Sequence, residues 1–255
     1  MLCHSDLVQA SIALGIRNFQ NPCGELLKSV KSLGFGQNLW FPTFNMDFGK
    51  SGRLDLAESP SQVGVLGEFV RNSPGAWRTA VPFYSVAGFH QRPSVDQLGS
   101  ESFNLWGERS LFADLYQQNG KILFLGANFA TFTHIHFIES FSGAPIYRYP
   151  KSFSGLISAH GRTSKVEVEM HVRPPGNLVR YDWGKIFQDL LANDLVEFHT
   201  EESNVFSLNS KMVTDFMVDK ISLDPLYLLE PTSRELVQRQ LDVIGRPFEI
   251  GDFES

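Results

Sequence analysis

A short, uninterrupted apolar run at residues 122–125 (Ile-Leu-Phe-Leu), ended by Gly126, most limits what this chain can fold into. Four consecutive apolar residues leave no polar face, which is typical of a strand buried on both sides of a sheet. Helical patterns precede the run at residues 21–34 and follow it at residues 131–141. Strands that alternate with helices in this way predict an α/β fold.

Helix start and stop signals predict three helices in this part of the chain. Asn21 is a suitable cap for a helix that Pro22 opens and Gly34 ends. Residues 59–62 (Ser-Pro-Ser-Gln) repeat the start signal, with the glutamine in a capping-box position. Residues 131–141 predict a third helix, capped by one of the threonines near its start.

The later part of the chain carries one strand pattern followed by helical ones. Residues 165–172 alternate strictly between apolar and polar side chains, which predicts a half-buried strand in an antiparallel region. Apolar stripes that begin at Trp183 and at Leu236 predict a mostly helical C-terminal part. Since no long linker interrupts the chain, we expect residues 1–255 to form one domain, with a candidate lobe boundary at residues 174–176 (Pro-Pro-Gly).

Composition excludes several classes of protein. The net charge is -6 and the sequence has no Lys/Arg-rich block, which argues against nucleic-acid binding and is compatible with a cationic amine as substrate. No apolar run approaches the roughly 18 residues of a membrane span, and the N-terminal residues do not resemble a signal peptide. Cys3 and Cys23 have no zinc-site spacing, so we expect reduced, semi-buried thiols in a cytoplasmic protein.

Residues 133–139 (Thr-His-Ile-His-Phe-Ile-Glu) form the most informative local cluster of polar side chains. On a helix, His136 and Glu139 share a face, and a carboxylate beside an imidazole orients it as a general base. On a strand, His134 and His136 would share a face instead, as metal ligands often do, with His90 as a further ligand. The cluster follows a predicted buried strand, and ligands collect at the carboxyl ends of sheet strands.

The commonest signatures of α/β enzymes are missing from the sequence: it has no nucleophile elbow, no dinucleotide fingerprint and no phosphate-binding loop. Instead, short motifs follow one another in a fixed order across nearly the whole chain, at residues 4–7 (His-Ser-Asp-Leu), 42–43 (Pro-Thr), 64–68 (Gly-Val-Leu-Gly-Glu), 74–85, 107–110, 119–126, 133–139, 181–183 (Tyr-Asp-Trp) and 224–225 (Asp-Pro). Their order and spacing resemble those of the aminoglycoside 3-N-acetyltransferase family.

The resemblance implies that family's two-lobed α/β fold, in which helices flank a mixed central sheet. It also implies acetyl-CoA as the acetyl donor, with no metal. The implied acceptor is a small molecule that carries a primary amine. It is either an aminoglycoside or an amino-sugar intermediate linked to a nucleotide or lipid diphosphate.

Residue by residue, the resemblance implies His136 as the general base, with Glu139 or Glu68 orienting and stabilising its imidazole. The implied coenzyme-binding residues lie at the end of the first strand and near a later turn, and they are His4, Ser5, Asp6, Leu7, Thr79 and Ser85.

Val81 stands where the family has a histidine, and Asp6 replaces a serine. The altered acceptor segment around Val81 slightly favours the amino-sugar acceptor over the aminoglycoside. Two other functions stay open at this point. One is a metal-dependent hydrolase that uses His134 and His136, and the other is a catalytically weak relative that binds the coenzyme without turnover. The sequence does not specify an oligomeric state.

Overall fold

The computed structural model describes residues 1–18, 20–35, 38–94, 102–143, 145–200 and 204–254. Its α-helices are α1 (Leu7–Ala13), α2 (Pro22–Ser32), α3 (Phe48–Ser51), α4 (Val65–Arg71), α5 (Leu111–Gln117), α6 (Ile135–Phe141), α7 (Trp183–Ala192), α8 (Ser210–Leu223) and α9 (Pro231–Ile244). Its strands are β1 (Leu2–Ser5), β2 (Phe41–Pro42), β3 (Arg53–Asp55), β4 (Trp77–Arg78), β5 (Val86–Gly88), β6 (Ser102–Asn104), β7 (Lys121–Leu125), β8 (Tyr149–Ala159), β9 (Arg162–Val172), β10 (Val196–Phe198) and β11 (Val205–Asn209).

The central sheet has the strand order β1-β7-β11-β10. Strand β7 contains the apolar run at residues 122–125, pairs in parallel with β1 and pairs antiparallel with β11. The prediction of a mixed central sheet is therefore confirmed. Two smaller sheets have the orders β2-β5-β4 and β3-β8-β9-β6.

The two faces of the central sheet pack against different hydrophobic cores. Leu2, Ile122 and Phe124 belong to one core, which also contains apolar residues of α5 through α9. Cys3 and Leu123 belong to the other core, which contains apolar residues of α1, α2 and α4. Because side chains alternate along a strand, the residue after Cys3 in β1 lies on the first face, at the carboxyl end of the strand. That residue is the buried His4.

Of the first two predicted helix starts, the one at Asn21 is confirmed and the one at residues 59–62 is not. Helix α2 begins as expected, with the Asn21 side chain accepting a hydrogen bond from the Gly24 amide. The predicted start at residues 59–62 is wrong, because α4 begins only at Val65. Polar side chains of 59–62 hold turns instead: the Ser59 hydroxyl accepts from the Asp55 amide, and the Gln62 side chain accepts from the Met46 amide.

The third predicted helix is shorter than expected. Residues 129–131 form a 3-10 turn, and α6 begins at Ile135. Neither Thr131 nor Thr133 caps α6, because their hydroxyls donate to the carbonyls of Asn128 and Thr131.

The alternating segment at 165–172 is confirmed as part of β9, which pairs antiparallel with β8 along its whole length. Helices α7 to α9 confirm the mostly helical C-terminal part. Residues 174–176 lie in the connection between β9 and α7, and the lobe boundary there stays a prediction. No helix in the described ranges is both long and apolar enough to cross a membrane.

A glycine lets α4 lie directly against β2. A Cβ atom on Gly67 would sit 2.0 Å from the carbonyl oxygen of Pro42, so only glycine permits this backbone approach. The contact sets the position of the start of α4, which forms part of the wall of the cavity described next.

Candidate active site

His136 and Glu139 form a hydrogen-bonded pair on one face of α6. Because they are three residues apart on a helix, their side chains share one face. The Nδ1 atom of His136 lies 3.0 Å from Oε2 of Glu139. The imidazole is 20% exposed and the carboxylate 2%, so the pair has one accessible end. The prediction that these two side chains meet is confirmed by this geometry.

Three further side chains hold the Glu139 carboxylate. The hydroxyls of Tyr147 and Tyr181 donate to Oε1 over 2.8 and 2.7 Å. Arg148 donates from Nε at 3.2 Å to Oε1 and lies 3.1 Å from Oε2. Its guanidinium also donates to the Tyr181 hydroxyl. The buried carboxylate thus has a buried cation and two hydroxyl donors, which offset the cost of removing its charge from water.

These contacts set the charge state of the pair. Burial lowers the pKa of His136, the Arg148 guanidinium lowers it further, and Glu139 opposes both. The imidazole is therefore uncharged at neutral pH, as a general base must be. Burial raises the pKa of Glu139, but Arg148 and the hydrogen bond from His136 lower it more, to about 2. Glu139 is therefore ionised across the physiological range of pH.

His136 opens into a cavity of about 540 Å³, within the usual range for small-molecule sites. The cavity lies at the carboxyl ends of β1 and β7, where His4, Ser5 and Ala127 contribute to its wall. Its other lining residues come from β2, the start of α4, the segment before and within α6, and the segments that flank α7 and α9: Pro42, Phe44, Val63, Gly64, Gly67, Ala130, Thr131, Phe132, Thr133, Ile135, Arg173, Arg180, Tyr181, Trp183 and Glu230.

Two further histidines, His4 and His134, are buried in this part of the molecule. His4 lines the cavity, and its Nε2 atom is buried without a hydrogen-bond partner among the described residues. His134 is fully buried, and its Nε2 atom lies 3.0 Å from the Thr214 hydroxyl. Burial lowers the pKa of His4 to about 4 and that of His134 to about 3. Both rings are therefore neutral at physiological pH.

Only part of the predicted coenzyme set reaches the cavity. His4 and Ser5 line it, whereas the exposed Asp6 caps α1 by accepting from the Gln9 amide. Leu7 is the first residue of α1 and packs against the core that contains Cys3. Asp6 and Leu7 are thus next to the cavity in sequence, but neither is part of its wall.

The other two predicted coenzyme-binding residues are structural in this geometry. Thr79 and Ser85 are each 1% exposed and lie outside the cavity wall. The Thr79 hydroxyl accepts from the Val86 amide, and the Ser85 hydroxyl donates to the Thr43 carbonyl. Their hydroxyls are thus used within the protein, and their role in coenzyme binding stays a prediction.

Glu68 does not contact His136. Its carboxylate accepts from Arg71 and from the Ser61 amide, on a different part of the surface. Val81 is buried in the core and also lies outside the cavity wall. Neither residue is placed where it can act on a ligand in the cavity.

Several residues of this site were not predicted as functional. Arg148 and Tyr147 come from the turn before β8, and Tyr181 lies in the β9–α7 connection. Trp106 lies against the catalytic candidate, with 5.1 Å between its ring centroid and that of His136. The segment at 181–183 resembles the family, but the resemblance does not reveal a contact with Glu139.

The geometry does not support a metal centre at the histidines. His134 and His136 point in different directions from the start of α6, and His90 is exposed elsewhere. In the described ranges, no three His, Cys, Asp or Glu side chains converge as metal ligands would. The alternative of a hydrolase with a His134/His136 metal site therefore has no geometric basis in those ranges.

The fold resembles those of solved aminoglycoside acetyltransferases. AAC(3)-Xa superposes with a TM-score of 0.69 at 17% identity, covering 89% of this chain and 87% of the other. AAC-IIIb, solved as a binary complex with coenzyme A, gives 0.67 at 18% identity, with coverages of 87% and 89%. The AAC(3)-IVa apoenzyme gives 0.65 at 19% identity, with coverages of 93% and 89%.

Sequence comparison gives two results. A comparison with curated proteins found no significant match. The family model for aminoglycoside 3-N-acetyltransferase matches residues 38–222, which is more than half of the chain and includes His136, Glu139 and their partners. The chain therefore belongs to the aminoglycoside 3-N-acetyltransferase family, whose members are N-acetyltransferases.

Proposed function

We propose that this protein transfers the acetyl group of acetyl-CoA to a primary amine, with His136 as the general base. One observation carries the proposal: Glu139 binds Nδ1 of an imidazole that lines the cavity. A proton on Nδ1, shared with the ionised Glu139, leaves the lone pair on Nε2. That atom has no hydrogen-bond partner among the described residues, so it is available to a ligand.

The cavity has features that suit a coenzyme. It lies at the carboxyl ends of two parallel strands, where α/β proteins usually bind ligands. The buried, unpartnered Nε2 atom of His4 offers a polar contact in its wall. His4 and Ser5 are therefore the residues we propose to hold the coenzyme. When bound, acetyl-CoA supplies a thioester carbonyl that a neutral amine attacks.

His136 and its partners supply the proton transfer. The acceptor amine forms a bond to the acetyl carbon, the carbon–sulfur bond breaks, and Nε2 of His136 takes up the amine proton. Glu139 stabilises the imidazolium that results, because its charge lies 3.0 Å from Nδ1. The proton then passes from His136 to the leaving thiolate. Arg148, Tyr147 and Tyr181 keep the Glu139 carboxylate in place throughout.

The acceptor within this proposal is an aminoglycoside or a phosphate-linked amino sugar. A relative, AAC(3)-IVa, has been solved in complexes with a gentamicin and with apramycin. A cytoplasmic location is part of the proposal, supported by Cys3 and Cys23, which are buried and unpaired.

Acetyl-CoA binding and thiol release test the proposal together. Calorimetry with acetyl-CoA should show binding, and a panel of primary amines should give free thiol with at least one member. We expect His136→Ala to lower kcat by about 100-fold or more while acetyl-CoA still binds. His90→Ala, at an exposed position outside the cavity, is the matched control.

Unchanged turnover in His136→Ala would show that another group is the base. Acetyl-CoA binding without thiol release from any amine would instead indicate a coenzyme-binding relative without turnover.

The dependence of kcat/KM on pH gives a second test of the base. The pKa of His136 is lowered from its ordinary value, chiefly by burial. After correction for the fraction of the acceptor amine that is uncharged at each pH, we therefore expect kcat/KM to rise through a midpoint below about 6.5 and to be constant near neutrality. A midpoint well above 6.5 would contradict the uncharged imidazole described here.

A further inference from the structure

The ionised side chains of the cavity wall are mainly cationic. Two guanidiniums, Arg173 and Arg180, line the cavity together with one carboxylate, Glu230. The other ionisable groups in the described part of the wall are the histidines His4 and His136, whose pKa values burial lowers, and Tyr181, whose pKa burial raises. Although the chain as a whole carries a net charge of -6, this cavity therefore has the opposite sign.

Arg173 is free to bind a ligand. It follows β9 directly, is exposed, and has no hydrogen bond or ion pair with a described residue. Its charge nevertheless reaches the site, because it contributes to lowering the pKa of His136. A guanidinium that lines a cavity and has no partner among the described residues is suited to bind phosphate or carboxylate.

Hydrogen bonds hold the backbone of Arg180 in place, but its guanidinium forms only a weak ion pair with Glu230 among the described residues. Its amide donates to the Ser233 hydroxyl, and its carbonyl accepts from the Glu230 amide, so the start of α9 holds this segment. The only ion pair between Arg180 and a described residue is with Glu230, at 4.0 Å, and the Arg180 side chain is 54% exposed. A pair of this length and exposure contributes little and leaves the guanidinium available.

The carboxylates next in sequence to the wall are turned away from it. Asp6 follows Ser5, and Asp182 follows Tyr181, but each caps a helix by accepting a backbone hydrogen bond. Glu139 is buried behind His136 and paired with Arg148. An acceptor with several ammonium groups needs several carboxylates around it, and among the described residues of the wall only Glu230 supplies one.

From this arrangement we propose that the acceptor amine carries an anionic group, a phosphate or diphosphate, which Arg173 and Arg180 bind. The inference rests on the proposed acetyltransferase function and specifies its acceptor class. It favours an amino sugar linked to a phosphate over a polycationic aminoglycoside. Coenzyme A also carries phosphates with the same chemistry, so the test must separate the two sources.

Rates with amines that differ in their phosphate groups distinguish the two acceptor classes. We would compare kcat/KM for glucosamine, glucosamine 6-phosphate, a uridine-diphosphate-linked amino sugar with a free amine, and gentamicin. These rates would be measured by thiol release in the wild type, Arg173→Gln and Arg180→Gln. Arg162→Gln, at an exposed position on β9 outside the cavity, is the control. The KM for acetyl-CoA would be measured in the same four proteins.

We expect the phosphate-bearing amines to be better substrates than both glucosamine and gentamicin. Each Arg→Gln change in the cavity should lower their kcat/KM roughly tenfold, since a charge-assisted contact is lost. The KM for acetyl-CoA and the activity of Arg162→Gln should stay unchanged. A preference for gentamicin that survives both substitutions would overturn the proposal. A rise in the KM for acetyl-CoA alone would also overturn it, because the guanidiniums would then bind the coenzyme.

Titration with inorganic pyrophosphate tests the anion site separately from the proposed acetyltransferase function. Absence of acetyl-CoA binding, and of thiol release from every amine, would remove the proposed function. Pyrophosphate binding is measured separately, in the presence of excess coenzyme A to fill any coenzyme site. Binding that weakens in Arg173→Gln and Arg180→Gln supports the anion site whether or not turnover is seen. No binding to the wild type counts against it.

Discussion

At the scale of single residues, Glu139 offers a matched comparison between two tyrosines. Tyr147 and Tyr181 both donate to its Oε1 atom. Tyr181 also lies 3.3 Å from Nδ1 of His136 and lines the cavity, whereas Tyr147 does neither. We expect Tyr147→Phe and Tyr181→Phe each to lose about 1.5–3 kcal/mol of unfolding free energy, because each removes a hydrogen bond to a buried carboxylate. Only Tyr181→Phe should lower kcat substantially, as measured by thiol release at saturating substrate.

Equal losses of kcat in the two variants would contradict this assignment. Such a result would mean that the number of donors to Glu139 matters and the position of Tyr181 near His136 does not. Urea unfolding of both proteins provides the control, since a large difference in stability would make the rates incomparable.

Val81 gives a second prediction at this scale. It is 6% exposed, packs in the core and does not line the cavity, and it stands where the family has a histidine. A buried imidazole without a hydrogen-bond partner should cost about 1–3 kcal/mol of unfolding free energy, so Val81→His should be less stable and no more active. Val81→Leu, which stays apolar, is the control. An increase in kcat/KM for Val81→His would show that this position reaches the acceptor.

The sequence predicted the local part of the site and missed the part assembled by tertiary contacts. His136 and Glu139 were found because a spacing of three residues fixes their geometry on a helix. Arg148 and Tyr181 reach Glu139 through the turn before β8 and through an isolated bridge between Tyr181 and Leu229. No periodicity encodes such contacts. Glu68 matched a family motif, but its neighbour Arg71 occupies the carboxylate.

At the scale of secondary-structure elements, the contact between α4 and β2 is the most sensitive to substitution. An alanine at Gly67 would place its Cβ 2.0 Å from the Pro42 carbonyl oxygen, so α4 would have to move. We expect Gly67→Ala to lose about 1–3 kcal/mol of unfolding free energy, as overpacked sites do. It should also weaken acetyl-CoA binding, because Gly64 and Gly67 line the cavity. Urea unfolding and calorimetry measure the two effects.

Gly184 in α7 provides the matched control. It is also a helical glycine, but its nearest contact for an added Cβ is 3.7 Å away, an ordinary van der Waals distance. Gly184→Ala should therefore be neutral or stabilising by up to about 1 kcal/mol, through helix propensity alone. A similar loss of stability in both variants would show that the Pro42 contact is not the cause.

Elements with a distinctive apolar pattern were predicted well, and elements without one were missed. The alternation at 165–172 and the apolar run at 122–125 identified β9 and β7, because each pattern matches one arrangement of buried faces. Strand β4 contains two residues, too few to carry a period, and its pairing forms through tertiary packing. The false helix start at 59–62 shows that capping residues also stabilise turns.

At the scale of the whole molecule, the charge of the cavity wall has the opposite sign to the net charge of the chain. A net charge of -6 suggested a surface compatible with cationic amines. The cavity wall instead gathers Arg173 and Arg180 from the two ends of the β9–α7 connection. The mean charge describes the solvated surface, whereas the sign inside a cavity depends on which side chains the fold turns inward. Composition alone therefore does not identify the acceptor.

The two neutral buried histidines make the stability of the whole molecule sensitive to acid. The folded-state pKa is about 4 for His4 and about 3 for His134, both lowered by burial from an ordinary value near 6.5. Below pH 6.5 the unfolded chain binds these protons and the folded chain does not, so acid favours unfolding. Between pH 7 and pH 5 each histidine should remove about 2 kcal/mol of unfolding free energy.

Substitution of His134 tests this directly. His134→Gln removes the titrating group and keeps an N–H that reaches towards the Thr214 hydroxyl, which itself donates to the Ser210 carbonyl. Urea unfolding at pH 7 and pH 5 should therefore show an acid loss smaller by about 2 kcal/mol than in the wild type. His90→Gln, at an exposed position, should keep the full loss. If His134→Gln loses as much stability as the wild type, the acid sensitivity comes from other groups, and His134 does not stay neutral in the fold.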